Sequence, residues 1–96
     1  MSGITSRLIP FVRGEHIEKA LTLIMQDALP KQVEAKGSGA FASYHETLGV
    51  IMEEYHEYIE AVHKNDENQA AKELIDLAVA AIWGLASCLA DDIEVS

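Results

Sequence analysis

The chain has 96 residues, 49% of them hydrophobic, and a formal net charge of −9. That length makes one domain, residues 1–96, with room for a modest core. Seven Lys and Arg against sixteen Asp and Glu argue against nucleic acid or an anionic membrane as partner, and the single cysteine, Cys88, rules out an intrachain disulfide framework.

Met1 to Gly14 carries Leu8, Ile9, Phe11 and Val12, but Pro10 interrupts any helix there, so the segment is expected to pack as an irregular arm. It shows no basic stretch followed by an apolar one, and no secretory signal is expected. Glu15 to Leu29 reads as the first helix. Ile17, Ala20, Leu21, Ile24 and Ala28 recur at helical spacing, and Pro30 marks the end. Lys31 to Gly39 reads as a linker. Its Gly37-Ser38-Gly39 lacks the Gly-Lys-Ser/Thr ending of a phosphate-cradling loop.

Ala40 to Lys64 reads as a long second helix. Leu48, Ile51, Met52, Tyr55, Ile59 and Val62 form its apolar stripe, with Glu46, Glu53, Glu54 and Glu57 on the opposite or flanking side. Gly49 offers room for a neighbouring helix or a ligand. Asn65-Asp66 is the turn, with Asp66 as N-cap. Glu67 to Ala90 is the third helix, mixed in its first half and apolar nearly all round in its second. A helix apolar on every side must be buried on every side, and three helices cannot easily achieve that alone. The expected fold is all-α, an antiparallel helical bundle completed by oligomerisation as a homodimer or tetramer. The longest apolar run, Leu77 to Ala90, has fourteen residues, whereas a membrane span needs about twenty. A soluble cytoplasmic protein with no membrane partner is the expectation.

The acids are unevenly placed. Nine of the sixteen lie between Glu46 and Asp76, with only Lys64 and Lys72 against them. Within that stretch, Glu54 and Glu57 are three apart, and so are Glu73 and Asp76, so each pair shares a helix face. Fifteen residues separate Glu57 from Glu73, enough to end one helix, turn and start the next. If the two helices run antiparallel, four carboxylates converge at one level. Like charges that close cannot all stay ionised without a cation, and hard oxygen ligands on rigid helices suit Mg²⁺ or Mn²⁺. The plainer reading of the same residues is a solvated acidic face.

Glu53-Glu54-x-x-Glu57, a gap, then Glu73-x-x-Asp76 resembles the signature of the MazG-like all-α nucleoside triphosphate pyrophosphohydrolases. Phe41 to Gly49 also resembles the lead-in of short members, and the likeness extends to about Leu89. The resemblance implies Mg²⁺-dependent cleavage of a (deoxy)nucleoside triphosphate between the α and β phosphorus atoms. The products would be the monophosphate and pyrophosphate, in housecleaning of the nucleotide pool. It implies Glu54, Glu57, Glu73 and Asp76 as metal ligands, and Glu53 as the residue that orients or deprotonates the attacking water. The chain departs from the family where a polar residue often follows the second acid pair by one or two turns; here those turns read Val79-Ala80-Ala81-Ile82-Trp83-Gly84. Trp83 is then either a stacking surface for a base or a core tryptophan. Lys72, Lys36 and His45 are the candidate partners of phosphate or base, or else solvated side chains.

Two other readings compete. Glu53-x-x-His56 and Glu60-x-x-His63 match the Glu-x-x-His pattern of di-iron carboxylate bundles, although there the two copies come from different helices. A non-enzymatic acidic helical adaptor that binds a basic partner is the other.

Overall fold

A computed structural model of the protein describes residues 9–91, and these are all-α. Helix α1 spans Gly14–Leu23, a π-helical turn follows over Ile24–Ala28, and α2 continues over Leu29–Lys36. Helix α3 spans Tyr44–His63 and α4 spans Glu67–Ala90. Residues 1–8 of the expected arm lie outside the described residues. Its remainder, residues 9–13, is irregular as expected but not packed: Ile9, Phe11 and Val12 are exposed.

Pro30 does not end the first helical stretch. Proline lacks the N–H for the helical ladder, and its ring clashes with the carbonyl four residues back. The wider π turn over Ile24–Ala28 lies just before it, and Pro30 falls in the opening turn of α2, where the missing donor costs least. The segment expected as a linker is therefore helical as far as Lys36, and Gly37, at φ +80°, stops it.

Helix α3 begins four residues later than its apolar pattern suggests. Ser43 is the N-cap: its hydroxyl accepts from the Glu46 N–H, while the Glu46 carboxylate accepts from the Ala42 N–H at 2.6 Å. At the other end Asn65 adopts φ +57°, a region that Asn tolerates better than most residues. The Asn65 N–H donates to Val62 O and the Asp66 N–H to Ala61 O, the reciprocal pattern that satisfies the last carbonyls of a helix. Asp66 then caps α4 as expected, accepting from the Gln69 N–H at 3.0 Å.

The two long helices form the principal packing unit. On α3 the residues turned inward are Thr47, Ile51, Glu54, Tyr58 and Ala61; on α4 they are Ala70, Glu73, Leu77, Ala80, Gly84 and Ser87. Both sets step by alternating threes and fours, the spacing of a coiled-coil seam. The close approach falls at Gly84, where a Cβ would overlap the Thr47 methyl, whereas a Cβ on Gly49 would meet nothing. Gly49 is thus not the contact that the sequence suggested.

This seam is not the apolar stripe expected of α3. Leu48, Met52, Tyr55 and Val62 are exposed, and only Ile51 and Ile59 are partly covered. On α4, Leu74, Ile82, Leu85 and Leu89 are exposed as well. The buried hydrophobic residues are Ala61, Val79 and Ala80, joined by Glu73 and Ser87, and no large side chain is fully buried among the described residues. By length and composition α4 is long and apolar enough to cross a membrane. Here α3 and the π turn pack against it, and two of its acids face α3.

Candidate metal centre

The seam decides where the acids go. Glu54 holds a seam position on α3 and Glu73 one on α4; Glu57 and Asp76, each three residues on, flank them. Each of the four offers a carboxylate oxygen, and these oxygens all lie within 4.8 Å of one another. Glu54 and Glu73 are therefore within the packed interface, and Glu57 and Asp76 are exposed at its edge.

Their environments differ. Glu73 is 6% exposed. One of its oxygens accepts from the Gln69 side-chain amide at 2.6 Å, and the other is buried with no partner. Glu54 also has one buried oxygen without a partner. A buried carboxylate oxygen that lacks a partner is costly. Glu54 is pushed up from its ordinary 4.5 to about 7, first by burial and then by the charges of Glu57 and Asp76. Asp76 is raised by burial and by Glu73, and Lys36 partly offsets this. Glu57 is raised chiefly by the neighbouring Glu73 carboxylate, with a smaller contribution from Glu53. Four oxygen ligands held this closely, one of them buried and half-satisfied, fit a hard divalent cation such as Mg²⁺ or Mn²⁺.

Three cavities adjoin the acids. The largest, about 360 Å³, opens on Asp76 between the π turn and α2 on one side and α4 on the other; Lys31, Lys72, Gln32 and Gln69 edge it. A second, about 150 Å³, runs from Glu54 and Asp76 to Phe41 and Trp83, with Gln32 and Lys36 on its walls. The third, about 270 Å³, lies at Glu57 and Glu73 near the α3–α4 turn and includes Glu60 and Lys64.

The remaining sequence candidates divide between these spaces and the surface. Lys72 edges the first cavity, and Lys36 and Trp83 line the second. Trp83 is half-buried, and its Nε1–H donates to Gly39 O at 2.9 Å. Glu53 is exposed and outside the group of four. His45 is exposed, its ring 4.8 Å from that of Tyr44, and it edges neither cavity that opens on Asp76. Neither His56 nor His63 belongs to the carboxylate group, so the Glu-x-x-His pattern does not assemble there.

The structure adds three residues that the sequence reading passed over. Gln69 was legible: it stands four before Glu73 on the same helix face. Lys31 and Gln32 were hidden because their segment read as a linker beyond Pro30. No protein-family model, curated protein or solved structure matches the chain, so the likeness to the pyrophosphohydrolases rests on the acid motif.

Proposed function

We propose that the chain is a Mg²⁺-dependent nucleoside triphosphate pyrophosphohydrolase, with Mn²⁺ as an alternative ion. It hydrolyses (deoxy)nucleoside triphosphates between the α and β phosphorus atoms to monophosphate and pyrophosphate, as housecleaning of the cytoplasmic nucleotide pool. The observation that carries the reading is Glu73, buried at the centre of four convergent carboxylates with one oxygen unpartnered. A merely solvated acidic face has no reason to bury one of its members.

Glu54, Glu57, Glu73 and Asp76 hold the cation in this reading. When bound, it offsets phosphate charge and makes water more acidic. The protein supplies positioning and charge around it. Lys31 and Lys72, across the largest cavity, receive the departing pyrophosphate. Lys36 offsets negative charge at Asp76. Glu53, exposed one residue before Glu54, takes up the proton of the attacking water.

The fold in this proposal is an antiparallel bundle completed by a second copy of the chain, which covers the exposed stripes of α3 and α4. The exposure of Leu48, Met52, Tyr55 and Val62 on α3 and of Leu74, Ile82, Leu85 and Leu89 on α4 supports it.

The test is a panel of nucleoside triphosphates incubated with the protein and Mg²⁺, with products resolved by phosphorus NMR. Monophosphate and pyrophosphate are expected in equal amounts. Release of orthophosphate, or a rate that chelator leaves unchanged, overturns the assignment.

A further inference from the structure

We infer that the apolar segment 9–12 of one copy of the chain docks on a second copy, with Phe11 seated in a cavity beside the C-terminal end of α4. The exchange rests on the assembly proposed above and not on the catalytic reading.

The charge of the chain is segregated. Residues 1–14 carry two arginines and no acid, whereas all sixteen acids and the five lysines follow them. Arg7 and Arg13 bracket Leu8-Ile9-Pro10-Phe11-Val12, an apolar segment with basic ends. Ile9, Phe11 and Val12 are 66%, 87% and 77% exposed, and they lead into α1, which buries none of its residues. Pro10 fixes its own φ and biases Ile9 toward extended backbone, so less chain entropy is left to lose on docking. An anionic membrane would suit such a segment by itself, but it would repel the acids that follow. The acidic body of another copy carries the charge that attracts it. Within one chain Phe11 is turned to solvent, so the docking is between copies.

The receiving cavity, about 230 Å³, is lined mainly by apolar surface, with Phe41, Tyr44, Thr47, Gly84 and Cys88 on its walls and Asp91 supplying a carboxylate. It shares only Phe41 with the cavity that runs to Glu54 and Asp76, and none of the four acids lines it. Its walls are fastened together. Gly84 lies close against Thr47 across the seam, and the Phe41 N–H donates to Ser87 Oγ at 2.9 Å. A protein cavity of about 150 Å³ holds one benzene ring, so this one has room for the Phe11 ring and part of the chain that carries it.

The basic end of the segment has a place there as well. Helix α4 ends with no basic residue in its last turn, and Asp91 is its C-cap. The partial negative charge of the helix terminus and the Asp91 carboxylate thus stand together without a cation in that turn. Arg13 is two residues beyond Phe11, roughly 7 Å along an extended chain. Its present ion pair with Glu15, at 3.5 Å, is exposed and worth little. Arg13 turns to the second copy's Asp91 as Phe11 enters the cavity.

Cys88, the single cysteine, reports on the cavity from inside it. Its rate of reaction with an aromatic disulfide reagent is measured in the full chain, in Phe11→Asp and in Arg13→Glu. Both substitutions lie at exposed positions, and circular dichroism checks that the fold is kept. Phe11→Asp should speed the reaction at least tenfold, and Arg13→Glu by a smaller factor. In parallel, the parent chain is mixed with the double variant Phe11→Cys, Cys88→Ser and mildly oxidised. A disulfide between positions 11 and 88 can then form only between copies, and peptide mapping should find it. An unchanged Cys88 rate, or bridges between like positions only, overturns the inference. So does an intrachain bridge in Phe11→Cys that keeps Cys88, because the segment then docks on its own chain. Light scattering on the same samples separates the two levels. A dimeric parent with an unchanged Cys88 rate overturns the docking and leaves the assembly standing, whereas a monomeric parent overturns both.

Discussion

Gln69 donates its side-chain amide to one oxygen of Glu73 and leaves the other oxygen of that buried carboxylate without a partner. The arrangement orients Glu73 without satisfying it. An unpaired buried acceptor on a charged group costs about 1–3 kcal/mol or more, and three further acids close by make the local charge worse. The site is thus a place where the fold gives up stability that a bound cation would restore.

Mg²⁺ should therefore raise the thermal midpoint, because a ligand that binds only the folded state stabilises it by mass action. Glu57→Gln removes one charge at nearly constant size. The metal-free variant should be as stable as the parent or more stable, its gain on adding Mg²⁺ should shrink, and hydrolysis should fall by orders of magnitude. Glu18→Gln, on the exposed α1, should leave all three quantities unchanged. Calorimetric scans with and without Mg²⁺ decide the matter. Two variants that behave alike would mean that the acids are only a solvated face.

The pH dependence follows from Glu54. Its folded pKa of about 7 lies above the ordinary 4.5, so between those values the folded state holds more protons than the unfolded one. Stability of the metal-free protein must then fall as pH rises through that window. Glu57 and Asp76, also raised, act in the same direction. Because Glu54 is only partly buried, solvent screening reduces the effect to the order of 1 kcal/mol. Urea midpoints in chelator should be lower at pH 8 than at pH 5, and Glu54→Gln should flatten the difference. A midpoint that rises toward pH 8 contradicts the assignment.

Gly84 and Thr47 give a test of the seam itself. A Cβ at residue 84 overlaps the Thr47 methyl, and overpacking of this kind costs about 1–3 kcal/mol. Against that, Ala gains about 1 kcal/mol over Gly in helix propensity. Gly84→Ala should thus destabilise by up to about 2 kcal/mol net. Adding Thr47→Ser, which removes the methyl, should recover most of the loss. Chemical denaturation of both variants checks this, and no recovery in the double variant counts against the contact.

The exposed stripes predict self-association. Light scattering after size exclusion should give at least a dimer. Met52 and Leu85 are 60% and 51% exposed in the single chain, and a charge at a true surface position changes stability by less than about 0.5 kcal/mol. If a second copy covers them, Met52→Glu and Leu85→Glu should shift the protein toward monomer and lower its stability well beyond that. A parent that remains a well-folded monomer at micromolar concentration refutes the proposed assembly.

Much of this fold could be read in advance from its local chemistry. Helix α4 begins and ends at the residues its pattern indicates, because Asp66 caps it and the run from Leu77 is apolar. The meeting of Glu54, Glu57, Glu73 and Asp76 was legible because spacing on two helices joined by a short turn leaves few alternatives. The start of α3 was also written in the chain, as Ser43-x-x-Glu46, but the apolar pattern drew the boundary too early. What could not be read was which apolar face belongs to which partner. Helix α3 has an inward seam of Thr47, Ile51, Glu54, Tyr58 and Ala61 and a more hydrophobic outward stripe. Hydrophobicity alone ranks the second above the first. Only the match of small residues at Ala80, Gly84 and Ser87 picks out the face that meets α4. Pro30 misled for a related reason: its rule holds for an α-helix, and the turn before it is not one.

That turn has a further consequence. Successive residues of an α-helix are about 100° apart around the axis, so a wider turn resets the phase of everything after it. Lys31, Gln32 and Lys36 lie just downstream of Ile24–Ala28. Removing one residue from that interval would rotate all three by roughly a quarter of a circle or more relative to Asp76, with no change in their identity. The length of this short interval, more than its composition, fixes which side chains look into the two cavities. Single-residue insertions and deletions there are a route by which such a scaffold could exchange one set of cavity-lining side chains for another.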